Sequence, residues 1–104
     1  MRAPVNRLKT QLREGQLQKG LWMGLGSASV AEMTSRAGFD WCLIDAEHGP
    51  NDLITIQSQL QAMNGALAEA VVRVPAAEDW MLKQVLDLGA QDELIPMLDT
   101  DAQA

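Results

Sequence analysis

Apolar residues recur along this chain at two different spacings, and the alternation between them predicts its elements. Val5, Leu8 and Leu12 fall three and four apart with polar residues between, which predicts a short amphipathic helix over residues 3–14 ended by Gly15. Gly20-Leu21-Trp22-Met23-Gly24-Leu25-Gly26 is a short apolar run closed by glycine, the pattern of a buried strand entering a tight turn. Ser29 and Glu32 then read as an S-x-x-E capping box opening a helix with Val30 and Met33 inward and Gly38 as its stop. Trp41-Cys42-Leu43-Ile44 is apolar at consecutive positions, which predicts a strand covered on both faces, as in a parallel sheet.

The pattern then repeats. Asn51 is placed to cap a helix whose Leu53, Ile56, Leu60 and Met63 run along one side until Asn64-Gly65. Residues 70–74 read as a third strand, Asp79 starts a helix with Leu82, Val85 and Leu86 inward and Gly89 as its stop, and Leu94-Ile95-Pro96-Met97 reads as a fourth strand. Asp99-Thr100-Asp101 looks like the cap of a helix barely begun.

Strands alternating with helices indicate βαβ units and a parallel sheet. The strands recur every roughly 25 residues, and eight such units would take about 200–250, the size of a closed (β/α)8 barrel. The expectation is therefore an α/β fold, the N-terminal part of a TIM barrel, with about four parallel strands and intervening helices in one partial domain over residues 1–104. An open three-layer α/β domain is the alternative.

Composition narrows the function classes. The 104 residues are 47% hydrophobic and 21% charged, which excludes disorder and allows one small domain. One cysteine excludes both a disulfide scaffold and a cysteine-rich zinc site. No apolar run reaches the roughly 18 residues of a membrane span, and the start lacks a signal peptide's apolar stretch, so a cytoplasmic location is expected. The net charge is −6, yet residues 1–20 carry +4, with Arg2, Arg7, Lys9, Arg13 and Lys19 against Glu14. That start reads as a solvated helix face rather than a transit peptide, since Glu14 interrupts it and serine is absent. Only Arg36, Arg73 and Lys83 remain beyond it, too few to clamp a nucleic-acid backbone.

In parallel α/β folds, ligands gather at the carboxyl ends of strands. The segment after the second strand, Asp45-Ala46-Glu47-His48-Gly49-Pro50-Asn51, is the most polar of these ends. His48, the sole histidine, is either a solvated side chain near two acids or a general base, and Gly49-Pro50 fix the loop in a way a base requires. Arg73, at the end of the third strand, is either the ion-pair partner of Asp45 or Glu47 or a planar fork for an anionic substrate. Asp45 and Glu47 can serve as cation ligands or only as company for His48. Trp22 on the first strand is core or substrate platform, and Cys42 reads as an inert small hydrophobe. Gly24-x-Gly26 followed by Asp45 partly mimics a dinucleotide-binding fingerprint, but position 29 is Ser where its third glycine belongs. A nucleotide-binding α/β module is therefore a competing reading.

Gly20–Ser27, Ala37–Asn51 with its D-x-E-H-x-P-N segment, Val71-Val72-Arg73-Val74-Pro75, and Leu86-Asp87-Leu88-Gly89-Ala90-Gln91 together resemble the HpcH/HpaI aldolase family. The resemblance implies a lyase on a (β/α)8 barrel, assembled as homo-oligomers, that uses Mg²⁺, Mn²⁺ or Co²⁺. It would cleave 4-hydroxy-2-oxo acids to pyruvate and an aldehyde, with no nucleic acid or membrane as partner. It makes His48 the catalytic base, Arg73 the residue that binds substrate and steadies the developing negative charge, and Asp87 a carboxylate that raises the basicity of the histidine. Asp45 is implied as a helper, and Trp22, from its place on the first strand, is kept as a candidate substrate contact. The family's metal ligands lie in later strands, so no metal ligand is expected within this chain, and the chain alone is expected to be inactive. The end of a helix belongs at the face opposite the strand ends, so Asp87 would reach His48 only from a neighbouring subunit. A non-catalytic truncated protein is a further alternative. The sequence departs from the family pattern at Ala76-Ala77-Glu78 and at Asp92-Glu93.

Overall fold

The computed structural model describes residues 7–75, 79–90 and 92–94. They run α1 (Arg7–Arg13), β1 (Gly20–Met23), α2 (Ala28–Thr34), β2 (Trp41–Asp45), α3 (Leu53–Ala62), β3 (Glu69–Arg73), α4 (Asp79–Asp87) and β4 (Asp92–Leu94). All three strand pairings are parallel, and the sheet order is β1-β2-β3-β4. A doubly wound sheet reverses its order at a switch point. These four strands show no reversal, which is how a (β/α)8 barrel begins.

Register divides the strand residues between two faces, because successive side chains alternate and parallel partners point the same way. Met23 pairs with Ile44 and Ile44 with Val72, and all three join Ala31, Ile56 and Val85 in the core beneath the helices. Trp22 pairs with Leu43, and Asp45 with Arg73, so these four occupy the opposite face, which in a closed barrel is the interior. Burial along β2 is nearly continuous from Cys42 to Asp45, as its run of consecutive apolar residues predicts.

Several local expectations shift. Helix α2 is capped by Ser27, whose side chain accepts from the Val30 N–H, so the Ser29–Glu32 box is not used. The register moves with it: Ala31 and Ser35 are buried while Met33 is 66% exposed. Helix α3 starts from Asp52, which forms a reciprocal capping box with Thr55, and not from Asn51. Its buried side includes Ile56, Gln59 and Met63, with Leu53 partly exposed. Leu12 and Leu86 also face outward, whereas Leu8 and Val85 are buried. The expected helix start at residue 3, Val5, and strand residues 95–97 lie outside the described residues. Strand β4 begins earlier than its apolar run, at Asp92. Arg36 ties the ends of α2 and α3 together by donating to the Ala62 and Asn64 carbonyls at 3.0 and 3.1 Å.

Candidate functional site

Asp45 ends β2 on the interior face and is only 4% exposed. A carboxylate so placed is tolerated only if its lone pairs are filled. Arg73, its register partner, donates from Nε to Oδ1 at 3.0 Å and from Nη2 to Oδ2 at 2.5 Å. Trp22 Nε1–H donates to Oδ2 at 3.0 Å, and the backbone N–H groups of Glu47 and His48 donate to Oδ1 at 2.9 and 3.0 Å. The two-pronged bond to Arg73, foremost, and these N–H donors hold the Asp45 carboxyl far below the usual carboxylate range, against the opposing push of burial. The same pairing raises Arg73 further above its ordinary value. The guanidinium also stacks on the Trp22 indole, 4.8 Å from the ring centroid, and Nη1 lies 3.1 Å from Glu47 Oε1. Three of its five N–H donors are thus aimed at carboxylates, which leaves one on each Nη atom for an anion.

The loop that follows β2 is braced from several sides. Asn51 Nδ2 donates to the Asp45 carbonyl at 2.8 Å, and the Asn51 N–H donates to the Gly49 carbonyl at 2.9 Å. Gly49 is required there, because a Cβ would sit 2.4 Å from the Asp45 carbonyl oxygen. Gly26, at φ +64°, lets the loop after β1 close onto Pro50, whose carbonyl oxygen a Cβ would approach to 2.9 Å. That use of Gly26, for packing against a neighbouring loop, differs from the pyrophosphate approach of a dinucleotide fingerprint. His48 projects from this loop into solvent, 74% exposed, with Nε2 3.3 Å from Glu47 Oε1.

The structure therefore brings His48, Glu47, Asp45, Arg73 and Trp22 together at the carboxyl ends of β1–β3. The ion-pair reading of Arg73 holds with both Asp45 and Glu47, and two of its N–H donors are not aimed at these carboxylates. Trp22 is not a core residue, being 46% exposed. Asp87, the last residue of α4, makes no bond to this cluster among the described residues, and its helix runs away from the strand ends that carry Arg73. Cys42 is fully buried, and burial raises its thiol pKa, as an inert side chain requires. Sequence reasoning missed Gln59 and misassigned Asn51. Gln59 carries a signal in retrospect, since it falls on the apolar stripe of Ile56, Leu60 and Met63.

A divalent cation needs several oxygen or imidazole ligands converging on one point. No group of three or more His, Cys, Asp or Glu side chains does so among the described residues. Both Asp45 oxygens are held by Arg73, and Glu47 Oε1 is shared between Arg73 and His48. These residues do not by themselves fit a metal ion. A cleft of about 280 Å³ between α3 and α4, lined by Leu53, Ile56, Val74, Pro75, Trp80 and Met81 among others, is largely apolar and lacks a cation for an anionic substrate.

Comparison with known proteins places this geometry. Residues 18–104 match the family model described as HpcH/HpaI aldolase/citrate lyase. A hydroxypyruvate/pyruvate aldolase of Agrobacterium fabrum is 54% identical over 104 residues, which amount to all of this chain and 39% of that protein. A 4-hydroxy-2-oxovalerate aldolase of Rhodococcus jostii is 50% identical over 106 residues, again with all of this chain covered and 41% of the relative. The crystal structure of an HpcH/HpaI aldolase/citrate lyase family protein from Burkholderia cenocepacia superposes with a TM-score of 0.90 at 45% identity, over 95% of this chain and 40% of that one. The chain thus spans about two fifths of the length of the relatives it matches, and its βα units are the N-terminal part of an α/β barrel. By the match over residues 18–104, this chain belongs to the HpcH/HpaI aldolase/citrate lyase family.

Proposed function

We propose that residues 1–104 supply the base and the anion clamp of a lyase that reversibly cleaves 4-hydroxy-2-oxo acids to pyruvate and an aldehyde. The observation that carries this reading is Arg73, fixed at a strand end by Asp45 and Glu47 yet retaining N–H donors, beside a braced loop that presents His48. Retro-aldol cleavage removes the proton of the 4-hydroxyl. The electron pair forms the aldehyde carbonyl, the C3–C4 bond breaks, and its pair becomes the pyruvate enolate. His48 accepts that proton at Nδ1, the ring nitrogen that does not face Glu47, while Nε2–H donates toward Glu47 Oε1, 3.3 Å away, which steadies the imidazolium. The spare Arg73 donors face the charge that develops on the enolate and the carboxylate of the substrate. Trp22, stacked on Arg73, bounds the substrate side of the clamp.

The divalent ion implied by the family resemblance, Mg²⁺, Mn²⁺ or Co²⁺, would take its ligands from strands beyond residue 104. Asp87 would act on His48 from a second copy of the chain, in a homo-oligomer. The names of the relatives, which pair pyruvate or 2-oxo acids with aldolase activity, support the substrate class.

The test is pyruvate release from a 4-hydroxy-2-oxo acid by the complete barrel that carries this chain, with divalent metal supplied. His48→Ala should lower kcat by about 10²–10⁴ fold and leave pyruvate affinity nearly unchanged. A His48→Ala enzyme with full turnover would remove His48 as the base.

A further inference from the structure

Gln59 is a long polar side chain enclosed in the fold, 1% exposed and flanked by the core residues Ile56 on α3 and Met63 just after it. Its Nε2 donates to the Thr55 carbonyl at 3.0 Å and to Asn51 Oδ1 at 2.6 Å. Both partners are acceptors, and this fixes which end of the Gln59 amide carries the nitrogen. It also turns the oxygen of Asn51 toward Gln59 and aims Asn51 Nδ2 at the Asp45 carbonyl, 2.8 Å away. Asp45 then holds the amides of Glu47 and His48 through Oδ1. A directional relay thus runs from the backbone of α3 to the backbone of His48.

Gln59 Oε1, by contrast, is buried and has no hydrogen-bond partner among the described residues. The unpaired buried oxygen works against folding and offsets the two bonds made by Nε2, so stability gives little net reason for glutamine here over methionine of similar length. We propose that Gln59 is a positioning residue for the base: by orienting the Asn51 amide it holds the 45–51 loop, and with it His48, in one conformation. This inference rests on the aldolase reading above for its kinetic consequence and on hydrogen bonds alone for its structural one.

Gln59→Met in the complete barrel tests it, with Asn51→Ala as the variant that breaks the same relay outside the core. In both, the amides of Glu47 and His48 should exchange with solvent at least about tenfold faster while that of Val72 is unchanged. Turnover should fall about 10–100-fold, with KM within about threefold, because a displaced base costs rate and leaves the Arg73 clamp in place. The double variant should be no slower than Asn51→Ala alone, since both changes cut one relay. The melting temperature of Gln59→Met should stay within about 10 °C of the wild type, because the lost Nε2 bonds and the removed unpaired oxygen oppose each other. Unchanged exchange at Glu47 and His48, full turnover despite faster exchange, multiplying effects in the double variant, or a melting temperature lowered by more than about 10 °C would each overturn the proposal. Absence of pyruvate release by the wild type would refute the aldolase reading instead, and the exchange measurement would still decide the role of Gln59 in the loop.

Discussion

Replacing Asp45 by Asn keeps the size of the side chain and removes its charge. Asn can still accept the Glu47 and His48 N–H groups on one oxygen. Its Nδ2, however, would face Trp22 Nε1–H and Arg73 Nη2, both donors. The variant therefore loses the charge of the ion pair and sets donor against donor at a side chain that is 6% exposed. Breaking a buried pair costs about 3–5 kcal/mol, and the partly open position of Arg73 favours the lower end, about 3 kcal/mol for Asp45→Asn. In a barrel of about 250 residues that lowers the melting temperature by about 6–12 °C. The loss must also depend on pH. The Asp45 carboxyl is held below its ordinary value of 3.8 in the folded protein, so its contribution is present above that value and is lost as pH falls through the folded one. Calorimetry of both proteins from pH 7 to pH 2 should give a constant gap above about pH 4 that narrows toward pH 2. Equal melting at pH 7, or a gap that stays constant to pH 2, would refute the ion-pair account.

Two further outcomes follow from the same geometry. Arg73→Lys should lower kcat by about 10²–10³ fold, because a single ammonium cannot hold Asp45 and Glu47 and also present paired donors to substrate, so a fully active variant in steady-state kinetics would remove Arg73 from the clamp. Gly49→Ala places a Cβ 2.4 Å from the Asp45 carbonyl oxygen, so the loop must shift, and its turnover should fall more than its melting temperature alone accounts for; unchanged kinetics would show that the position of the loop is not critical.

Strands β1 to β3 were legible because each centres on a short apolar run, and β2 reads as covered on both faces because its apolar residues are consecutive, whereas β4 starts at the polar pair Asp92-Glu93 ahead of its apolar run. The caps were less so. Ser27 and Ser29 are both good cap residues, as are Asn51 and Asp52, and only the tertiary position of the helix decides between them. Arg73 with Asp45 followed from their being neighbouring strand ends. The bond from Trp22 to Asp45 depends on β1 pairing Trp22 with Leu43, a register that periodicity does not specify. Asn51 looked like a cap because asparagine caps helices, yet its amide serves the loop instead. Gln59 escaped notice because a polar residue on a helix ordinarily faces water, and its burial appears only once α3 packs on the sheet.

The central claim, that this chain carries a base and an anion clamp but not a complete aldolase site, is tested most directly by complementation. Pyruvate release from a 4-hydroxy-2-oxo acid would be measured with Mg²⁺, Mn²⁺ or Co²⁺ for residues 1–104 alone and after addition of a separately produced second part of the barrel. No release is expected from residues 1–104 alone, release is expected on complementation, and His48→Ala should abolish it. Pyruvate formation by residues 1–104 alone, or complemented activity that is indifferent to His48→Ala, would contradict that claim.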